Sequence, residues 1–206
     1  MTRISRRPRT ARSKRAFDVT AALLALIVFS PVIAVVALLV RLTSPGPVIF
    51  RQSRLGLDQQ EFTIYKFRTM RHGSDATGAA VMTHANDPRL TRIGAFLRST
   101  GLDELPQLWN VLAGSMSLVG PRPPVPHHPY PRGSYPDWAL ARFEARPGLT
   151  GFAQVSGRNS LTWEDRIRLD VEYVNKWSWA LDIQILLRTV RALNSRVGLR
   201  HTKGET

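Results

Sequence analysis

Asp103 and Glu104 stand side by side in the run Leu97-Arg98-Ser99-Thr100-Gly101-Leu102-Asp103-Glu104-Leu105-Pro106-Gln107-Leu108, with Arg98 just upstream. Adjacent carboxylates near a guanidinium suit phosphate chemistry. One acid can attack phosphorus, the other can hold a divalent cation, and the arginine can bind the anion. Leu105, Leu108, Trp109 and Leu112 recur at helical spacing, and Pro106 is tolerated only in a first turn. A helix is therefore predicted to start here with Asp103 at or near its N-cap, where free N–H groups and the helix dipole favour an ionised carboxylate. An aspartate before a helix is ordinarily only a cap, so its surroundings must decide.

Those surroundings begin with Gly114-Ser115-Met116-Ser117-Leu118-Val119-Gly120-Pro121-Arg122-Pro123-Pro124. Glycine ends the helix, and a proline-stiffened loop through Pro121 aims Arg122 at an anion. Upstream, Ile93, Phe96 and Leu97 mark a short amphipathic helix that delivers Arg98 and stops near Gly101. Earlier still, Val48 to Arg51 and Glu61 to Arg68 read as two strands of a hairpin. Period two places Lys66 and Arg68 on one face, where two cations can grip a diphosphate or simply form a solvated charged edge.

The remaining elements carry fewer chemical signals. Gly73 to Asn86 lacks periodicity and reads as a mobile loop. His127-His128 has no third ligand nearby in sequence and reads as solvent-exposed rather than metal-binding. Arg146 and Arg158 each sit in a tight glycine loop. Thr162, with Asp165 three residues on, opens a helix with an apolar stripe at Trp163, Ile167, Val171 and Val174, and this helix carries Asp170. A last helix spans roughly Leu181 to Leu193; Trp177 and Trp179 before it read as core residues slightly ahead of membrane-interface ones. There is no Walker loop, Gly-x-Gly-x-x-Gly, His-Glu-x-x-His or Gly-x-Ser-x-Gly. Absence of cysteine removes disulfides, thiol nucleophiles and thiolate metal sites.

The net charge is +14, with Arg3, Arg6, Arg7, Arg9, Arg12, Lys14 and Arg15 in an opening stretch that holds no acid. Such an arm is a ligand for anionic lipid or nucleic acid, and composition alone does not choose. The next segment does. Val19 to Val40 carries no charged side chain and, at about 22 residues, is long enough to span a bilayer. Ser30-Pro31 at its centre predicts a kink or break. Basic residues lie on both flanks, including Arg41, Arg51 and Arg54, without the one-sided bias of a simple span. A helix that enters, bends at Pro31 and returns to the same face satisfies both observations, with a kinked span as the alternative. The chain divides into a basic arm (1–18), a re-entrant membrane helix (19–40), a catalytic domain (41–193) and a tail (194–206). The fold class is α+β, mainly helical, a single domain with a small β-hairpin and amphipathic interfacial helices.

The ordered motifs Lys14-Arg15-Ala16-Phe17-Asp18, Ser30-Pro31, Arg54-x-Gly56, Lys66-Phe67-Arg68-Thr69-Met70 and Leu102-Asp103-Glu104-Leu105-Pro106-Gln107 continue through Ser117-Leu118-Val119-Gly120-Pro121-Arg122-Pro123, Arg146-Pro147-Gly148-Leu149-Thr150-Gly151, Gly157-Arg158-Asn159 and Leu169-Asp170-x-x-Tyr173-Val174. Together they resemble the bacterial sugar transferases, the small monotopic phosphoglycosyltransferases that begin lipid-linked glycan assembly. The resemblance implies that Asp103 attacks the β-phosphate of a UDP-sugar, releases UMP and forms a covalent phosphosugar-aspartate, which polyprenol (undecaprenyl) phosphate then resolves by a ping-pong route. It implies that Glu104 holds Mg²⁺, that Arg98 and Arg122 contact phosphate, that Arg158 and Arg146 lie near the nucleotide, and that Asp170 supports the site. It also implies a monotopic protein on the cytoplasmic face of the inner membrane, in contact with anionic head groups. No nucleic-acid partner is expected. The rival reading is a membrane-tethered basic binding or scaffold protein without catalysis. Neither the transferred sugar, the glycan pathway nor the oligomeric state is specified by these residues.

Overall fold

The computed structural model describes residues 12–74, 87–157 and 160–194. Most of the basic arm, most of the loop at 73–86, Arg158 and the tail lie outside these described residues. Where water is scarce, a helix satisfies its own backbone polar groups, and the uncharged segment folds accordingly into α1 (Arg12–Thr43), 32 residues long. Its length and composition suffice to cross a membrane.

Pro31 does not divide α1: residues on both sides stay helical. Proline removes the N–H that would bond the carbonyl of Ile27 four residues back. The Ser30 hydroxyl donates to that same carbonyl at 2.8 Å. The Ser-Pro pair thus supplies its own replacement donor at the position of the expected kink or break, and the chain stays helical through it. The helix also starts earlier than position 19, because two cations of the arm are held by the body of the protein. Lys14 pairs with Asp182 at 2.7 Å with both side chains buried, and Arg15 donates to the carbonyls of Val111 and Leu112.

Alternation in Val48 to Arg68 produces the antiparallel hairpin of β1 (Ile49–Leu55) and β2 (Glu61–Phe67), in the register Ile49↔Phe67 to Leu55↔Glu61. After it come α2 (Arg92–Thr100) and α3 (Gln107–Ala113). Thr91 caps α2 by accepting from the N–H of Gly94, and Gly101 ends it at φ 75°, a left-handed turn that favours glycine. β3 (Ser117–Val119) and β4 (Gly148–Thr150) form a parallel pair that the sequence shows only as loop, since three residues are too few for a readable alternation. Two short helices, α4 (Asp137–Leu140) and α5 (Phe152–Ser156), precede α6 (Trp163–Lys176) and α7 (Trp179–Asn194). Thr162 caps α6 by accepting from the N–H of Asp165. The result is one mainly helical α+β domain.

Four apolar clusters hold these elements together. Ala22 of α1 packs with Ile64, Leu108, Val111 and Met116; Val36 and Val40, at the other end of α1, pack with Phe67 and Leu97. Tyr173, Val174, Trp177 and Ile185 join Val119 in a third, and Leu55, Tyr135, Ala139, Phe143 and Ile167 form the fourth. Both ends of α1 therefore dock on one body. Its outer face, with Leu24, Ile27 and Val28 all more than half exposed, stays uncovered. The same holds for Ile183, Leu187 and Val190 on α7. Trp177 is a core residue as read; Trp179 instead meets Phe17 of α1 edge-on at 5.5 Å, joining the two uncovered faces.

Candidate active site

Gly101 reverses the chain after α2 and hands it to a tight 3-10 turn, Leu102–Glu104, which carries both acids. Asp103 is not an N-cap. Pro106 takes that position for α3, and no side-chain cap bond forms at the turn. The expectation that a cap keeps this carboxylate ionised is therefore corrected. Asp103 is 7% exposed, and burial pushes its carboxyl up to about 6, helped by the neighbouring Glu104 charge and opposed by Lys66 and Arg98. At neutral pH such a group is still ionised in roughly nine molecules of ten, yet it is more basic than an ordinary aspartate. Those are the properties of a useful carboxylate nucleophile.

Glu104 has the opposite character. Burial would raise its carboxyl, but the charges of Lys66 and Arg122 and the hydrogen bond from Lys66 outweigh it and hold the group at about 2. The Lys66 ammonium donates to Glu104 Oε1 at 2.7 Å. β2 and the residue after it thus deliver one of their two cations to the acidic pair. The other, Arg68, is buried, and its Nη2 donates to the carbonyl of Ser44 at the end of α1. Arg98 Nε donates to Thr69 Oγ1 at 2.8 Å, and its charge reaches Asp103.

The loop bearing Arg122 is laid on β4 by backbone contacts. Gly120 donates to Thr150, and Gly148 donates to Pro121, both at 2.9 Å. A Cβ at Gly120 would meet the Arg146 carbonyl, so glycine is required for this approach. Behind the loop, Asp170 and Arg142 form a buried ion pair at 2.7 Å. Arg142 also donates to the Arg122 carbonyl at 2.9 Å, so the pair is tied to the Arg122 peptide. Burial raises the Asp170 carboxyl to about 6 despite the adjoining arginines.

The structure thus brings together Asp103, Glu104, Lys66, Arg98, Pro121 and Arg122, with Asp170 supporting the last. Arg146 is engaged elsewhere: its Nε donates to the Gly114 carbonyl at the end of α3. His128 lies edge-on to Trp163 at 4.8 Å. Three neighbours were missed by sequence reasoning. Arg54 donates to the Pro123 carbonyl, and burial and Arg122 lower it to about 10 while Glu104 raises it. Arg142 and Arg166 are the others. Arg54 lay within a recognised motif, whereas Arg142 and Arg166 lie outside the motifs and gave no signal.

Among the described residues, no group of three or more His, Cys, Asp or Glu side chains could hold a metal. Two adjoining carboxylates nevertheless fit Mg²⁺, which binds through one or two carboxylates and completes its shell with waters and substrate phosphates.

Comparison with known proteins identifies the family of the chain. The family model described as "Bacterial sugar transferase" matches residues 9–196. An uncharacterized sugar transferase, EpsL, of Bacillus subtilis is 43% identical over 94% of this chain and 93% of its own length. A UDP-glucose:undecaprenyl-phosphate glucose-1-phosphate transferase of Caulobacter vibrioides is 46% identical, covering 87% of this chain and 69% of its own. The Escherichia coli protein of the same description is 44% identical over 86% of this chain, which spans only 39% of that relative. Matching over nearly its whole described length, the chain belongs to the bacterial sugar transferase family.

Proposed function

We propose that the protein transfers a sugar-1-phosphate from a UDP-sugar to polyprenol phosphate, giving polyprenyl-diphosphate-sugar and UMP. The observation that carries this reading is the division of labour in the acidic pair: a buried Asp103 with its carboxyl raised to about 6 beside a Glu104 held at about 2 by Lys66 and Arg122. An Asp103 oxygen attacks the β-phosphorus, the bond to the UMP oxygen breaks, and UMP departs with that electron pair. The phosphate oxygen of the polyprenol then attacks the same phosphorus and displaces the Asp103 carboxylate. Arg98 and Arg122 neutralise the diphosphate, and bidentate guanidinium geometry suits that task. Glu104, with Asp103 beside it, would hold Mg²⁺, whose chemistry is to stabilise charge on the phosphate oxygens.

The placement of α1 supports a one-sided relation to the membrane. A 32-residue helix is about 48 Å long. Lys14 and Asp18 near one end and Val36 and Val40 near the other are all buried against the same domain. A helix crossing the bilayer could not keep both contacts, so both ends lie on one face, and the uncovered sides of α1 and α7 meet the lipid. We place the protein as monotopic on the cytoplasmic face of the inner membrane, where the UDP-sugar is found and where a polyprenol phosphate presents its head group.

Purified protein incubated with UDP-glucose, Mg²⁺ and polyprenol phosphate releases UMP, and Asp103→Asn does not. Without acceptor, mass spectrometry finds a phosphosugar on the peptide containing Asp103. Turnover by Asp103→Asn at the wild-type rate sinks the nucleophile assignment. For topology, single thiols are introduced by Arg3→Cys and Asp58→Cys in this cysteine-free chain and probed in intact cells with an impermeant reagent. Labelling of only one of them shows a span.

A further inference from the structure

We propose that Arg166 is a further substrate-binding residue of this site, receiving the phosphate of the departing nucleotide. The inference rests on the UDP-sugar reading above.

Arg166 lies one turn before Asp170 on α6, and an i, i+4 spacing puts the two on the same face. Asp170 pairs with Arg142, which donates to the Arg122 carbonyl, so Arg166 stands near the loop that presents Arg122. Its guanidinium lies over the Trp163 ring at 4.8 Å, which fixes the plane of the group. Nε and Nη2 are shut away from solvent, yet neither has a hydrogen-bond partner. Arg142 takes Asp170 Oδ2 at 2.7 Å, and Asp170 Oδ1 has no hydrogen-bond partner either, so no bond joins Arg166 to Asp170. Burial disfavours the Arg166 proton, the charge of Arg122 disfavours it further, and Asp170 favours it.

A second cation held beside Arg122 with idle donors calls for a dianionic or longer polyphosphate ligand. Arg122 acts on Glu104 on one side and on Arg166 on the other. A diphosphate whose β-phosphorus faces Asp103 and whose oxygens reach Arg122 extends its next phosphate toward Arg166. Trp163 and the His128 ring set edge-on against it continue the wall beyond that point. The planar fork of arginine suits a phosphate that gains charge as the bond to the sugar-phosphate breaks.

The test measures UMP affinity by titration calorimetry for wild type, Arg166→Gln, Arg166→Lys and Arg168→Ala. Arg168 bonds Glu164 across an exposed helical turn and serves as the control. Loss of a charge-assisted hydrogen bond predicts about tenfold weaker UMP binding in Arg166→Gln, with an intermediate value for Arg166→Lys. The KM for UDP-glucose rises in parallel, while that for polyprenol phosphate stays within about twofold. Unchanged UMP affinity in Arg166→Gln overturns the proposal, as does failure of wild type to bind UMP. UMP release by wild type reports separately on the proposed reaction. If it occurs while Arg166→Gln behaves as wild type, this inference alone fails.

Discussion

Asp103→Asn is expected to abolish UMP release and yet make the protein more stable. The folded protein holds the Asp103 carboxyl at about 6 against an ordinary value of 3.8, chiefly through burial. Between those values the folded state keeps a proton that the unfolded chain has lost, so folding stability falls as pH rises through the window. The full displacement corresponds to about 3 kcal/mol at neutral pH. The asparagine cannot ionise and escapes that cost. Its advantage should grow roughly twofold between pH 5 and pH 7.5, to about 3 kcal/mol. For a chain of this size that is roughly 6–12 °C in Tm at the upper end, reduced by whatever the amide donors leave unsatisfied. Calorimetric melts of wild type and variant in the same lipid nanodiscs, across pH 5 to 7.5, read the difference directly. A variant that melts lower at pH 7.5, or a gap that does not change with pH, would show that burial does not set the Asp103 carboxyl and would refute the reasoning.

The same raised carboxyl predicts an acid limb: kcat/KM for UMP release falls about tenfold per pH unit below about 6. Asp170 titrates in the same range, so Asp170→Asn should lower activity while keeping the limb, and its disappearance in that variant would assign the limb to Asp170. Gly94→Ala places a methyl group against the Thr69 carbonyl, whose residue holds Arg98; a loss of about 1–3 kcal/mol in stability and a fall in kcat/KM should be seen together. Ser30→Ala leaves the Ile27 carbonyl without a donor and should cost about 1–3 kcal/mol in lipid, whereas Ser30→Thr keeps it. Equal melting temperatures for Ser30→Ala and wild type would remove the serine from that role.

The hairpin, the two capped helices and the apolar segment were legible because each repeats a period long enough to read, and because Thr162 and Gly101 punctuate it. The acidic pair was legible as a candidate site, although its electrostatics were not. Pro106 displaced the start of α3, and only the tertiary arrangement shows that burial governs Asp103. Arginines were the hardest to assign. Arg15, Arg68 and Arg146 donate to backbone carbonyls at the ends of helices, while Lys66, Arg98 and Arg122 act on the acids. In sequence all six are equally cationic, and the choice depends on which carbonyls the fold leaves without partners. β3 and β4 were invisible for another reason: their pairing spans residues far apart in the chain, and neither is long enough to carry a pattern.

The placement of α1 connects the membrane to the chemistry. An apolar helix on an apolar surface has no strongly preferred register, since a slip of one turn exchanges Val, Ala and Leu for one another. Buried polar groups remove that freedom, because a shift would strand them without partners. Asp18 accepts from the Leu118 N–H at 3.1 Å and from the Ser117 hydroxyl at 2.8 Å. Lys14 fixes the preceding turn to Asp182, which also accepts from Tyr173 and Trp177. Tyr173 in turn donates to the Val119 carbonyl. Both anchors therefore close on β3, the strand that runs directly into Gly120, Pro121 and Arg122. The apolar helix α1 and the arginine that acts on Glu104 are referenced to the same three-residue strand, so the position of α1 and that of Arg122 cannot be set independently.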